Sequence, residues 1–130
     1  MNLLLDTHAF LWFIAGDKQL PEIIVNKIVD PANKCYVSIA SIWEIAIKLS
    51  LEKLEINGGF NTIEDFLENN DIEILSVNVS HTKKLLSLVP IHKDPFDPEY
   101  SGIISQAMAE KMTIITKDGF FKDYKVKVMW

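Results

Sequence analysis

The residues best suited to chemistry in this chain are acids. Asp6 ends the apolar run Leu3-Leu4-Leu5, and Glu44 lies in the apolar stretch that follows Cys35-Tyr36-Val37. Asp94 and Asp97 each precede a proline, and Asp118 comes just after Thr113-Ile114-Ile115-Thr116. Carboxylates gathered at one place of low dielectric repel, and some of their pKa values rise unless a cation neutralises them. Mg2+ or Mn2+ suits that task, because both are hard ions that accept carboxylate oxygens and water. In phosphodiester hydrolysis such an ion activates water and stabilises charge on the phosphate, so no nucleophilic serine, cysteine or histidine is required.

Each acid also has a plainer structural reading. Asp6 can cap a following helix, and Ser41-Ile42-Trp43-Glu44 has capping-box spacing with Lys48 four residues beyond Glu44. Asp94-Pro95 and Asp97-Pro98 are good cap-plus-first-turn pairs, and Asp118-Gly119 is a good turn. Against these, Glu44 stands among Ile39, Ile42, Trp43, Ile45, Ala46, Ile47 and Leu49. A carboxylate on a helix apolar nearly all round needs better company than a surface lysine. His8, His81 and His92 lack metal-site spacing and are expected to be structural or surface residues, and Ser38 and Ser41 are expected to be caps.

The elements that must position these acids follow from the pattern. Leu3–Leu5 reads as a buried strand, followed by a helix over Ala9–Ile14 that stops at Gly16; Pro21–Val29 reads as a second helix. Cys35–Val37 is β-prone, and Ser38 opens a long helix to about Leu51. Phe60–Asn69 is helical, Ile72–Val79 a strand and Ser80–Leu88 a helix. A turn-rich segment from His92 to Pro98 leads into a helix through Ala109, and Thr113–Thr116 and Val126–Met129 are strands. Strands alternating with helices require crossovers, and so a mostly parallel sheet covered on both faces. Such sheets open their ligand sites at the carboxyl ends of the strands, where these acids stand.

The bulk properties are those of one globular domain over residues 1–130. A net charge of −5 argues against a passive nucleic-acid coat, which advertises a basic footprint. All 13 cationic residues are lysine, so phosphate contacts rely on point charges and backbone amides rather than on bidentate forks. Lys117, Lys122, Lys125 and Lys127 cluster near the C-terminus, either to guide phosphates or as a solvated face. The single cysteine, Cys35, excludes an internal disulfide framework, and the N-terminus has no basic segment before its apolar stretch, so a cytoplasmic location is expected.

On Leu3-Leu4-Leu5-Asp6-Thr7-His8-Ala9, Ser38-Ile39-Ala40-Ser41-Ile42-Trp43-Glu44-Ile45, His92-Lys93-Asp94-Pro95-Phe96-Asp97, Thr116-Lys117-Asp118 and Trp130, the chain resembles the PIN domain. Within that family it is similar to the VapC kind of toxin from bacterial toxin–antitoxin modules. The resemblance implies a PIN-like three-layer α/β/α sandwich around a central parallel sheet of about five strands. It implies a metal-dependent endoribonuclease using Mg2+ or Mn2+, with Asp6, Glu44, Asp97 and Asp118 at the positions of the acidic quartet. Asp6 and Asp97 would be the surest metal ligands, Glu44 and Asp118 would complete the pocket, and Thr116 would support it by hydrogen bonding. A homodimer and a small antitoxin partner are implied as well.

The chain departs from the family pattern after Asp97, where Pro98-Glu99-Tyr100-Ser101-Gly102 intervene without the usual arginine, an excess of about three residues. If these extend the helix, Asp97 moves by about 4.5 Å along the axis and about 60° around it. If they bulge, Asp97 keeps its place; counting back from Asp118 without a gap instead puts Tyr100 at the third acidic position, with Glu99 as the substitute. The insertion motivates a rival reading, a PIN fold of impaired chemistry that binds RNA or a partner protein. A phosphoryl-accepting receiver domain would need an acceptor Asp where Ser76 stands, and a dehalogenase-like phosphatase a second Asp at His8.

Overall fold

Three consecutive leucines with no polar alternation must be covered on both sides, and they form strand β1 (Asn2–Leu5), whose leucines are wholly buried. The computed structural model describes residues 1–88 and 100–130 in full and the backbone of Pro98 and Glu99. After β1 come helices α1 (Thr7–Ala15) and α2 (Glu22–Val29), strand β2 (Lys34–Ser38), and helices α3 (Ile39–Ser50) and α4 (Thr62–Asn69). Strand β3 (Ile72–Leu75), helices α5 (Val79–Ser87) and α6 (Pro98–Glu110) and strand β4 (Thr113–Ile115) follow. A 3₁₀ turn (Gly119–Asp123) and strand β5 (Lys127–Met129) end the chain.

The five strands form one wholly parallel sheet in the order β3-β2-β1-β4-β5. Leu3 and Leu5 point into one core with Phe10, Ile24, Ile28, Ile45 and Ile63. Leu4 points into the other with Ile103, Ile104, Ala107 and Ile114. The alternation of a single strand thus splits the apolar residues into two layers of helices around the sheet, the expected α/β/α arrangement.

Local signals set most boundaries. Asp6 caps α1, and Gly16, at φ 62°, ends it by returning its N–H to Phe13 and Trp12. Ser38 caps α3 through the amide of Ala40. Strand β3 is shorter than the pattern predicts, because the Asn78 side chain starts α5 and the Gln106 side chain, rather than a strand, donates to the carbonyls of Leu75 and Ser76. Pro98–Gly102 continues into α6 as one helix rather than as a bulge. The turn at Asp118-Gly119 extends into the 3₁₀ segment, which Asp118 caps by accepting from the amide of Phe120. No helix among the described residues is long and apolar enough to cross a membrane.

Candidate active site

Strand β1 has β2 on one side and β4 on the other, so the chain winds outward in both directions from the β1–β4 pair. At such a reversal the crossovers diverge and leave a crevice at the carboxyl ends. Asp6 follows β1 there, and Thr116, Lys117 and Asp118 follow β4.

A chain of hydrogen bonds joins the two strand ends. The Asp6 amide donates to the Ile115 carbonyl at 3.0 Å. One carboxylate oxygen of Asp6 accepts from the Ala9 amide at 2.8 Å, and the other from the Thr116 hydroxyl at 2.5 Å. The Thr116 Oγ1 in turn accepts from the Asp118 amide at 3.0 Å. Asp6 is therefore both cap and rim residue: its side chain is fixed by groups 110 positions apart in sequence. Burial, with a smaller contribution from the Asp118 charge, pushes the Asp6 carboxyl above its ordinary value against the lowering effect of its hydrogen bonds and of His8. A buried acid resisting ionisation beside a second acid fits a divalent cation, which would supply the missing positive charge.

The next residue, Thr7, donates to the buried Ser41 hydroxyl at 2.8 Å and ties α1 to α3. Ser41 is thus an interior bonding group rather than a helix cap, and the capping-box reading of Glu44 gives way, because the helix already starts at Ser38. Glu44 lies one turn beyond Ser41 on the same side of α3, partly buried, with its carboxylate 3.0 Å from Lys48 Nζ. Among the described residues no three His, Cys, Asp or Glu side chains are placed to hold one ion. Asp6 and Asp118 interact electrostatically, and Glu44 has Lys48 among its partners.

Asp94, Asp97 and His92 lie outside the described residues. The helix that begins directly after Asp97 is held against the Asp118 loop: the Tyr100 hydroxyl donates to the Phe120 carbonyl at 3.2 Å, and its ring packs edge-on to Phe121 and Tyr124. Aromatic rings and a lysine gather close to Asp6 in a grouping that sequence spacing does not show. Trp12 has the rings of His8 and Trp130 and the Lys117 ammonium around it. Lys125 and Lys127 instead line a groove at the amino ends of the strands with Met1, Asn2 and Lys111, away from the acidic rim. His81 is structural, being buried between Asn78 and Glu110.

The PIN domain family model matches residues 3–127. The chain therefore belongs to the PIN domain family. Among solved structures it is similar to VapBC2 from Rickettsia felis bound to a DNA fragment from its promoter, with TM-score 0.70 and 18% identity over 99% of this chain and 98% of that one. It is likewise similar to FitAcB from Neisseria gonorrhoeae, with TM-score 0.66 and 17% identity over 98% and 96% of the two chains. At these identities the likeness establishes the fold. No curated protein matches the sequence.

Proposed function

We propose that this chain is a metal-dependent endoribonuclease and the toxin subunit of a type II toxin–antitoxin module. The observation that carries the reading is the Asp6–Thr116–Asp118 array, which fixes the buried Asp6 carboxylate at the topological reversal of a PIN sheet, with the exposed Asp118 near enough for its charge to act on Asp6. Asp6, Asp97, Glu44 and Asp118 would hold Mg2+ or Mn2+. Such an ion, when bound, activates water and neutralises charge on the scissile phosphate. Thr116 positions Asp6 by donating to one of its oxygens, leaving the carboxylate plane no freedom to turn. The Thr7–Ser41 bond sets the distance of α3, and with it Glu44, from the rim.

A small antitoxin and a second copy of the chain are the proposed protein partners, supported by the VapBC2 likeness and by the apolar stripe Ile39, Trp43, Ile47 and Leu51 that α3 turns outward. The continuous helix through Pro98–Gly102 favours a second reading, a PIN fold that binds RNA or a partner without cutting. Cleavage of a panel of RNAs with and without Mn2+ separates the two. The parent should cut only with metal, and Asp6→Asn and Asp97→Asn should lose at least 100-fold, on the order of one lost electrostatic catalytic group. Metal binding without cleavage would favour the second reading. A larger loss for Glu99→Gln than for Asp97→Asn would move the third ligand to Glu99.

A further inference from the structure

We propose that His8, Trp12 and Trp130 form a stacking platform for an unpaired base of the substrate, next to the phosphate to be cut. The inference rests on the nuclease reading and goes beyond it by naming what holds the strand. The His8 and Trp12 rings lie 5.7 Å apart and tilted, and Trp12 and Trp130 lie 5.8 Å apart and edge-on. Trp12 is the half-buried floor of the group, while His8 and Trp130, the latter 36% exposed, open to solvent. All three belong to segments that leave carboxyl strand ends: His8 two residues after Asp6, Trp12 one turn further along α1, and Trp130 directly after β5. The Thr116 amide donates to the Met129 carbonyl, which places Trp130 beside the Thr116–Asp118 loop.

Charge supplies the second argument. With no arginine among its cations the chain has no bidentate phosphate fork, and the cavity lined by His8 and Trp12 carries the point charges of Lys48 and Lys53 beside Glu55. The Lys125 and Lys127 pair sits at the other end of the strands. The exposed Lys117 remains at the rim, with its ammonium 5.8 Å from the Trp12 ring centre, where it can meet the phosphate of a base lying on the aromatic group. A strand held chiefly by base stacking must be single-stranded, because a duplex hides the faces of its bases.

The test uses full-length chain carrying Trp43→Phe, so that emission reports Trp12 and Trp130 alone. In EDTA, single-stranded oligoadenylate should quench that emission, and the same strand annealed to its complement should not. Trp130→Ala and His8→Ala should each weaken binding of labelled oligoadenylate, read by fluorescence anisotropy, and raise KM for RNA cleavage roughly 5- to 150-fold, the range of one lost stack, with kcat of Trp130→Ala within about 2-fold. Trp130→Tyr should restore most of both, which a merely structural role for the indole would not do. Unchanged KM and oligoadenylate affinity in both alanine variants, with melting temperatures held, would overturn the platform. So would equal quenching by the duplex. Oligoadenylate affinity lost in Trp130→Ala with no cleavage by the parent under any metal would leave the platform standing and remove the nuclease reading instead.

Discussion

At the scale of single residues, one side chain carries both a structural role and the proposed chemistry. Asp6 caps α1, but burial raises its pKa, so the folded protein binds a proton there more readily than the unfolded chain does. Stability without metal should therefore fall as pH rises from the unfolded value through the raised folded value, and stay low above it. Asn at this position can still accept from Ala9 and pair with Thr116 without carrying charge. Asp6→Asn is expected to melt about 2–5 °C higher than the parent in EDTA at neutral pH, a gain on the order of 1 kcal/mol at this chain length. Mn2+ should raise the melting temperature of the parent and not that of the variant, with the increment shrinking as pH falls through the raised pKa; calorimetry at several pH values checks both. Cys35 gives a second test. Burial pushes its thiol up to about 11 while Sγ donates to the Ile28 carbonyl, so at pH 8 only about one molecule in a thousand carries the thiolate. The native chain should resist a thiol reagent that labels the urea-unfolded chain at once.

At the scale of elements, packing and capping decide what moves. Helix α5 starts on a reciprocal cap in which the Asn78 side chain accepts from the His81 amide and the His81 ring accepts from the Asn78 amide. With Nδ1 occupied as an acceptor, the ring proton sits on Nε2 and is donated to Glu110 at 2.8 Å, joining α5 to α6. Asn78→Ala is expected to cost about 1–2 kcal/mol in urea unfolding, the usual loss for a side-chain cap. On α3, residues four apart face outward together, and Trp43 is 71% exposed. Trp43→Asp should leave the melting temperature of the isolated chain within about 1 °C, since a surface site carries little stability. Light scattering should show that the same change abolishes association with a second copy or with an antitoxin. Unaltered association would remove this face as the partner surface.

At the scale of the whole molecule, the site is a property of sheet topology. Leu4 and Ile114 are neighbours in register across β1 and β4, and both are wholly buried on the face opposite Leu3 and Leu5. Ile114→Ala is expected to cost about 2–5 kcal/mol by opening a cavity there. Because β4 carries Thr116 and Asp118 at its end, the same change should weaken Mn2+ binding without touching any acid, which isothermal titration can measure.

Much of this was legible before any coordinates. The leucine run, the outward Gly16 stop, Ser38 as a cap and the alternation of strands with helices each depend on residues within a few positions, so local sterics and hydrogen bonding settle them. The positions of Asp6 and Asp118 at strand ends were legible for the same reason. Sequence spacing could not reveal that Ser41 bonds Thr7 rather than capping, that the insertion is helical, or that Trp12 gathers His8, Lys117 and Trp130 around it. Those outcomes depend on strand order: the β1–β4 pairing brings together side chains more than a hundred residues apart. Nothing in a local pattern encodes which strand will be the neighbour; only burial of both faces of one sheet selects it.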